Sequence, residues 1–454
     1  MDLPFPFEPI IVFAWLSVML IIGVIFRAKL GFIQRFLIPS CLIGGILGLI
    51  LVNTGIISVD VSLIEAFAYH MFNISFISVG LTAGTKNEED ENHGKDTVKA
   101  SIWMALVEGV SFPLQAVCGG LLVMAFGLLG IKLFSTFGFL VPLGFTEGPG
   151  QALSFGKVWE THGFAHAAGI GLTFATIGFF FAFFVGVPLA NRGIRRGLSK
   201  HAPKDLPRDF LTGVTAKDQV CDPAGHQTMH CANVDTLAFQ MALVGLAYLL
   251  SYYLVILLGK ILPPDIGKMM WGFLFFIGMM MGLLIRTLAA KIRVGHLIDP
   301  GIQRRITGWS VDYLMVATVM AIQLVVVWEY IWPITLMGIG SGILTSWVVW
   351  YMGKRIWDYN LERTMAIYGT VTGTVSSGLL LLRIVDPDFK SPVALELGFM
   401  NIFASPIILG GALLVNAPII LHWSLGVTTI VFAAIAIVCL ILIKALKMWG
   451  PAKY

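Results

Sequence analysis

The chain has 454 residues, 57% of them hydrophobic and only 12% charged, whereas soluble domains carry about 25% charged residues. With a mean hydropathy of +0.85, it falls outside the soluble class and is predicted to be an all-α polytopic membrane protein. The net charge of +4 is small and no segment gathers a basic face, which excludes nucleic acid as a partner.

At the amino terminus, Asp2 and Glu8 precede the first basic residue, Arg27. A cleavable signal peptide needs a basic n-region, so the first apolar run is expected to stay in the mature protein. A membrane helix needs roughly 20 apolar residues, which makes charge-free intervals a ruler for spans. Intervals 9–26, 36–59, 66–85, 109–131 and 161–191 predict five spans before the polar segment 192–235. Intervals 236–259, 269–285, 313–328 and 330–353 predict four more, and the tract 397–443 is long enough for two, broken near Pro418 and His422.

Two stretches do not fit the ruler. Gly144-Phe145-Thr146-Glu147-Gly148-Pro149-Gly150-Gln151 and Gly369-Thr370-Val371-Thr372-Gly373-Thr374-Val375-Ser376-Ser377-Gly378 are too polar and glycine-rich for lipid-facing helices. Irregular backbone at membrane depth is tolerated where it lines a cavity inside the protein, so both are predicted to be re-entrant loops, at about 133–158 and 364–385. Glycines at this spacing also serve where membrane helices simply pack together, and that reading stays open for either stretch alone.

Lys and Arg set the orientation, because cytoplasmic connections are enriched in them. An outside amino terminus and a cytoplasmic carboxyl terminus collect 24 of the 30 basic residues on one side. Spans one to five then start outside and spans six to ten inside, the signature of an inverted repeat. The expected organisation is a five-helix repeat at 1–191, a cytoplasmic linker at 192–235, an inverted five-helix repeat at 236–420, and an extra helix with a tail at 421–454. A cell (inner) membrane location follows from such a plan.

Five cysteines, an odd number, argue against a disulfide framework. Cys221, His226, His230 and Cys231 form a cluster in the linker that reads as a metal site or, given the Asp-Pro-Ala-Gly run, as a loop. No nucleophile and base pair, metal-binding helix motif or nucleotide loop is present, so neither an enzyme nor an ATP-driven pump is expected.

Several short motifs recur in a familiar order: Ile38-Pro39 with Gly44-Gly45, Ser78-Val79-Gly80-Leu81, the loop 144–156, Ala175-Thr176-Ile177-Gly178, Gly186-Val187-Pro188-Leu189-Ala190, Met320-Ala321-Ile322-Gln323-Leu324 with Trp328-Glu329, and Asp358-Tyr359. In these the chain resembles the glutamate:sodium symporter family. The resemblance implies inverted five-helix units, two re-entrant loops, sodium-coupled uptake of glutamate, and a homodimer working by an elevator-like movement. It is looser at the loops, where the family's Gly-Gly-x-Gly type of signature is replaced by Thr-Glu-Gly-Pro-Gly and Thr-Val-Thr-Gly-Thr, and the last span exceeds the family's ten-helix pattern.

The loops suggest their own chemistry. Sodium takes oxygen ligands, and Thr146, Glu147, Thr372, Thr374 and Ser377 are the sodium-binding candidates. Each hydroxyl has an alternative bond to its own helix. An amino-acid anion is favoured at the amino-terminal ends of half-helices, which makes Glu147, Gly148, Gly150, Gln151, Thr370, Thr372, Gly373, Ser376 and Ser377 substrate-binding candidates, together with Asn401. Arg383 can hold a carboxylate in a two-pronged hydrogen bond, or snorkel to the cytoplasmic interface. A carboxylate at midplane depth is costly and usually carries ions, protons or an ammonium group, which singles out Glu147; its alternative role is to cap the helix that starts near Pro149. Glu108, Gln115, Gln240, Gln323 and Asn401 are further polar groups expected within spans. The function expected is a secondary transporter of an anionic amino acid with sodium. The alternatives are a proton- or sodium-coupled carrier of another carboxylate or amino acid and, more remotely, an ion channel.

Overall fold

A computed structural model describes residues 5–82, 95–201, 208–215, 217, 223–230, 232–387 and 390–452. Among these residues the regular structure is all helical. Helix α1 (Glu8–Lys29) opens on Glu8 and Pro9 and closes on Arg27 and Lys29, a charge order that suits the helix dipole. Helices α2 (Ser40–Asn53), α3 (Val61–Thr82) and α4 (Lys95–Leu128) follow, then two short helices, α5 (Leu140–Phe145) and α6 (Pro149–Glu160), separated by a break at 146–148. In α7 (Ala167–Arg195), Pro188 cannot donate to the helical ladder, and the wider turn Phe181–Val185 just before it absorbs the interruption.

In the second half four long helices again precede a broken pair. Helix α8 (Thr236–Ile261) starts where the Asp235 carboxylate accepts from the Leu237 amide at 2.8 Å. Helix α9 (Leu274–Lys291) precedes α10 (Pro300–Met320), which is capped by Asp299 through the Ile302 amide at 2.7 Å. Helix α11 (Ile331–Gly353) leads into another interrupted pair, α12 (Asn360–Val371) and α13 (Val375–Val385), broken at 372–374. Helices α14 (Val393–Leu414) and α15 (Leu425–Ala445) complete the chain.

Among the described residues nine helices are long and apolar enough to cross a membrane: α1, α3, α4, α7, α8, α9, α11, α14 and α15. The chain is a multi-pass membrane protein. Two expected spans are different in kind. The one drawn at 36–59 is the 14-residue helix α2, cut short by Pro39 on one side and Thr54 on the other. The one drawn at 313–328 is displaced: α10 begins at Pro300, carries Arg304, Arg305 and Asp312, and stops at Met320 before a separate short helix, Leu324–Glu329. The final tract breaks at 415–424, around Pro418 and His422 as expected.

The helices pack as two groups. In the first, α3 lies against both α9 and α10, while α2 bridges α1 and α10. In the second, α4 is the hub, touching α11, α14 and α15, and the two broken pairs pack on α7, α11 and the start of α14. Contact between the groups is concentrated on α6, which touches α3 and α10.

Within the first group, Gly80 of α3 lets the backbone of α9 approach so closely that a Cβ there would lie 3.0 Å from the Met279 carbonyl carbon and closer still to its oxygen. The obstacle is backbone and cannot swing away. Gly80→Ala is therefore expected to lower the apparent melting temperature of the purified protein, with a cost of about 1–3 kcal/mol; an unchanged melting curve would show that the two helices separate freely.

The linker joins both groups. Near its start, Ser199 Oγ donates to Glu362 Oε1 (3.1 Å) and to the Val385 carbonyl (2.7 Å), and the Lys200 ammonium pairs with Asp358 at 2.6 Å, all in the second group. Further on, the short helix Arg208–Thr212 is held by the Arg27 guanidinium of α1, which donates to the Phe210 carbonyl at 3.1 Å.

Candidate functional site

A cavity of about 2130 Å³ lies between the two helix groups. One wall is aromatic, made by Phe72 and Phe76 of α3 and Phe275 of α9, whose rings pack at centroid distances of 5.0 to 5.2 Å. The facing wall is polar and comes from the second group: Glu108 of α4, the break at Thr146 and Glu147, the start of α6, and Thr370, Thr374 and Ser376 of the other broken pair.

The two breaks touch. Gly148 has φ +83° and ψ −178°, a conformation that only glycine adopts readily, and it sits against the second break, where an added Cβ would lie 2.9 Å from Thr374 Cγ2 and 3.1 Å from the Gly373 carbonyl oxygen. Gln115, fully buried on α4, fastens both: its Oε1 accepts from Thr146 Oγ1 at 2.8 Å, and its Nε2 donates to the Val371 carbonyl at 3.1 Å. The α6 and α13 half-helices both begin at this junction, so their first amides, which have no partner inside a helix, collect there.

Of the residues singled out in sequence, Thr146, Glu147, Gly150, Gln151, Thr370, Thr374, Ser376, Arg383 and Asn401 line the cavity. Gly148, Thr372, Gly373 and Ser377 stand behind it as the frame of the breaks. The hydroxyl protons of Thr370 and Thr372 are spent on the Ala366 and Tyr368 carbonyls of their own helix, at 2.9 and 2.7 Å, leaving only lone pairs for a ligand. Thr374 caps α13 by accepting from the Ser377 amide at 3.4 Å. Arg383, near the end of α13, is exposed at the cavity margin. Cys221 and Cys231 of the suggested metal cluster lie outside the described residues, and among the described residues no group of three or more His, Cys, Asp or Glu side chains is placed to hold a metal ion.

Glu147 does not cap α6, the alternative role open to it in sequence: Gly148 is the N-cap residue and no side chain accepts from the first-turn amides. One carboxylate oxygen accepts from Gln151 Nε2 at 2.7 Å, while the other, Oε1, is buried with no hydrogen-bond partner among the described residues. Glu108 Oε2 and Gln151 Oε1 share that condition. Glu108 and Glu147 lie close enough for their charges to interact. Asp312, on the first group's side of the cavity with Cys41, was not singled out in sequence.

At the other end of α6 the two groups are joined by charge. The Lys157 ammonium pairs with Glu65 of α3 at 2.5 Å and with Glu160 of its own helix at 3.0 Å, beside a separate cavity of about 360 Å³. Glu160 Oε1 also accepts from the Ala168 amide of α7 at 3.1 Å.

A family model described as Sodium/glutamate symporter matches residues 7–345, three quarters of the chain, from α1 into α11. None of the curated proteins compared with the chain matches it.

Proposed function

The chain belongs to the sodium/glutamate symporter family, and from that premise we propose that it is a secondary transporter taking up glutamate together with sodium by alternating access. The observation that carries this reading is the meeting of two broken helices at the wall of a large cavity between two helix groups. Broken helices offer amides at their amino-terminal ends for a carboxylate and unpaired oxygens for a cation, which are the two needs of such a symporter. The family is one of carriers, not enzymes.

In this reading the breaks are the tips of two re-entrant loops, and the halves 1–191 and 236–420 are an inverted repeat. The packing supports that relation: α3 against α9 in one sense is matched by α10 against α2 in the other, as an exchange of the halves requires. The helices that carry both breaks form one packed group, and their sparse contact with the other supports an elevator-like displacement of one group past the other. The linker, tied to both groups, spans the moving boundary. Homodimerisation and an inner-membrane location complete the reading.

With the amino terminus outside, the cavity margin at Arg27, Arg304 and Lys390 is cytoplasmic, and the Glu65, Lys157 and Glu160 network is external. The arrangement described is then open to the cytoplasm and closed outside. Arg383 at the cytoplasmic margin draws the anionic substrate by its charge.

The test is uptake of labelled glutamate into proteoliposomes with inward sodium and proton gradients imposed separately and a panel of unlabelled amino acids and carboxylates as competitors. Sodium-driven accumulation above equilibrium, with glutamate as the strongest competitor, is expected. Failure of every substrate to accumulate under either gradient would leave the channel reading.

A further inference from the structure

Three side chains that line the cavity each keep one buried acceptor oxygen without a donor among the described residues. Glu108 is 4% exposed and Gln151 is 2% exposed, and each keeps one carbonyl-type oxygen buried with no hydrogen-bond partner among the described residues. Glu147 Oε1, beside them, is in the same state. The Gln151 amide is oriented by its neighbour, since Nε2 must face the Glu147 carboxylate to donate at 2.7 Å, so Oε1 points elsewhere and accepts nothing. A buried acceptor left unmatched is costly, and a shared proton between the carboxylates would satisfy them without satisfying the amide oxygen. A hard cation satisfies all three.

We propose that Glu108, Glu147 and Gln151 bind the coupling sodium ion, and that its charge is what lets a carboxylate settle at the adjacent amino terminus of α6. This deepens the symporter reading by assigning its cation site, and it makes the coupling electrostatic. Without the cation, Glu147 stands just before the first turn of α6, whose first N–H is that of Gly150 because Pro149 has none, and repels any anion approaching it. With it, the ion neutralises the pair, and binding of sodium and of glutamate strengthen each other reciprocally. Thr372 and Ser377, sodium candidates by residue type, belong to the frame of the second break and are not ligands in this assignment.

The experiment is binding of radioactive sodium to the purified full chain in lipid nanodiscs, with choline chloride holding ionic strength constant, and separately binding of labelled glutamate across a sodium titration. Wild-type protein is expected to bind sodium in competition with unlabelled sodium. Glu108→Gln and Gln151→Leu are each expected to weaken it at least tenfold, with Glu108→Asp retaining part of the affinity and melting curves of the variants overlaying that of the wild type. Glutamate binding in Glu108→Gln is expected to lose most of its sodium dependence, where a structural role would lower binding at all sodium concentrations alike. Sodium affinity unchanged in Glu108→Gln and Glu108→Asp overturns the assignment while leaving the symporter reading intact. Uptake driven by protons alone, with no sodium binding by the wild type, overturns it as well. Sodium binding that depends on Glu108 without any glutamate transport would uphold the cation site and remove glutamate as its cargo.

Discussion

Gly148→Ala is expected to abolish sodium-driven glutamate uptake while leaving the protein in the membrane. At φ +83° and ψ −178° the residue occupies a region essentially reserved for glycine, and forcing a side chain into it costs about 1–3 kcal/mol. The new methyl would also press on Thr374 and the Gly373 carbonyl of the opposite break, and that obstacle is partly backbone. Relief comes only by moving the two breaks apart, which shifts Glu147 and the start of α6 relative to α13. Misplacement of reacting or binding groups by about 1 Å can cost about 100-fold in rate, so uptake should fall by about that factor. Gly127→Ala, on α4 where an added Cβ meets nothing within 4 Å, is the control and should transport normally. Equal uptake by the two variants would mean that contact between the breaks has no part in transport.

Arg363→Met is expected to have the largest effect on stability. The Arg363 guanidinium, 2% exposed, is paired with Glu396, 0% exposed, through Nε to Oε2 at 2.8 Å and a second bond to Oε1 at 2.5 Å, while a third nitrogen donates to the Asp358 carbonyl at 2.8 Å. Its face also stacks near Trp357 and Tyr359, at 5.2 and 5.5 Å from their ring centres. This joins the first turn of α12 to the first turn of α14 and so anchors the second broken pair. Removing only the cation strands a buried carboxylate, at a cost of about 3–5 kcal/mol. Arg363→Met should therefore lower the apparent melting temperature sharply and reduce the yield of folded protein, and Glu396→Gln should do the same. The double variant Arg363→Met with Glu396→Leu should recover most of the loss, because an apolar pair of similar volume carries no desolvation cost. If the double variant is as unstable as the singles, packing of the two stems and not their charge holds the junction.

The charge-free ruler located the helices and, by the same logic, set aside the residues that matter most within them. Glu65, Glu108, Asp312 and Glu396 each stand one residue outside an interval drawn at 66, 109, 313 and 397. In the structure all four are helical, at turns inside α3, α4, α10 and α14. A membrane protein tolerates an ionised side chain inside a span only when the interior supplies a partner or a cavity, and a one-dimensional reading contains neither. Glu108 stands out in sequence as a costly carboxylate within a span. Asp312 was missed because Arg304 and Arg305 made its whole neighbourhood look like a loop.

The sequence by itself determined the class, the order of the long apolar segments other than those drawn at 36–59 and 313–328, and the two places where helices break, because solvent exclusion and helix geometry act on local composition. Glycine, threonine and proline at 144–150 and 369–374 cannot sustain a lipid-facing helix whatever surrounds them. Only the tertiary structure decided that Gly148 lies against Thr374, that Gln115 fastens both breaks, and that Glu108, distant from Glu147 in the chain, shares its cavity. Those relations depend on which helix faces which, and periodicity carries no such information where almost every face is apolar.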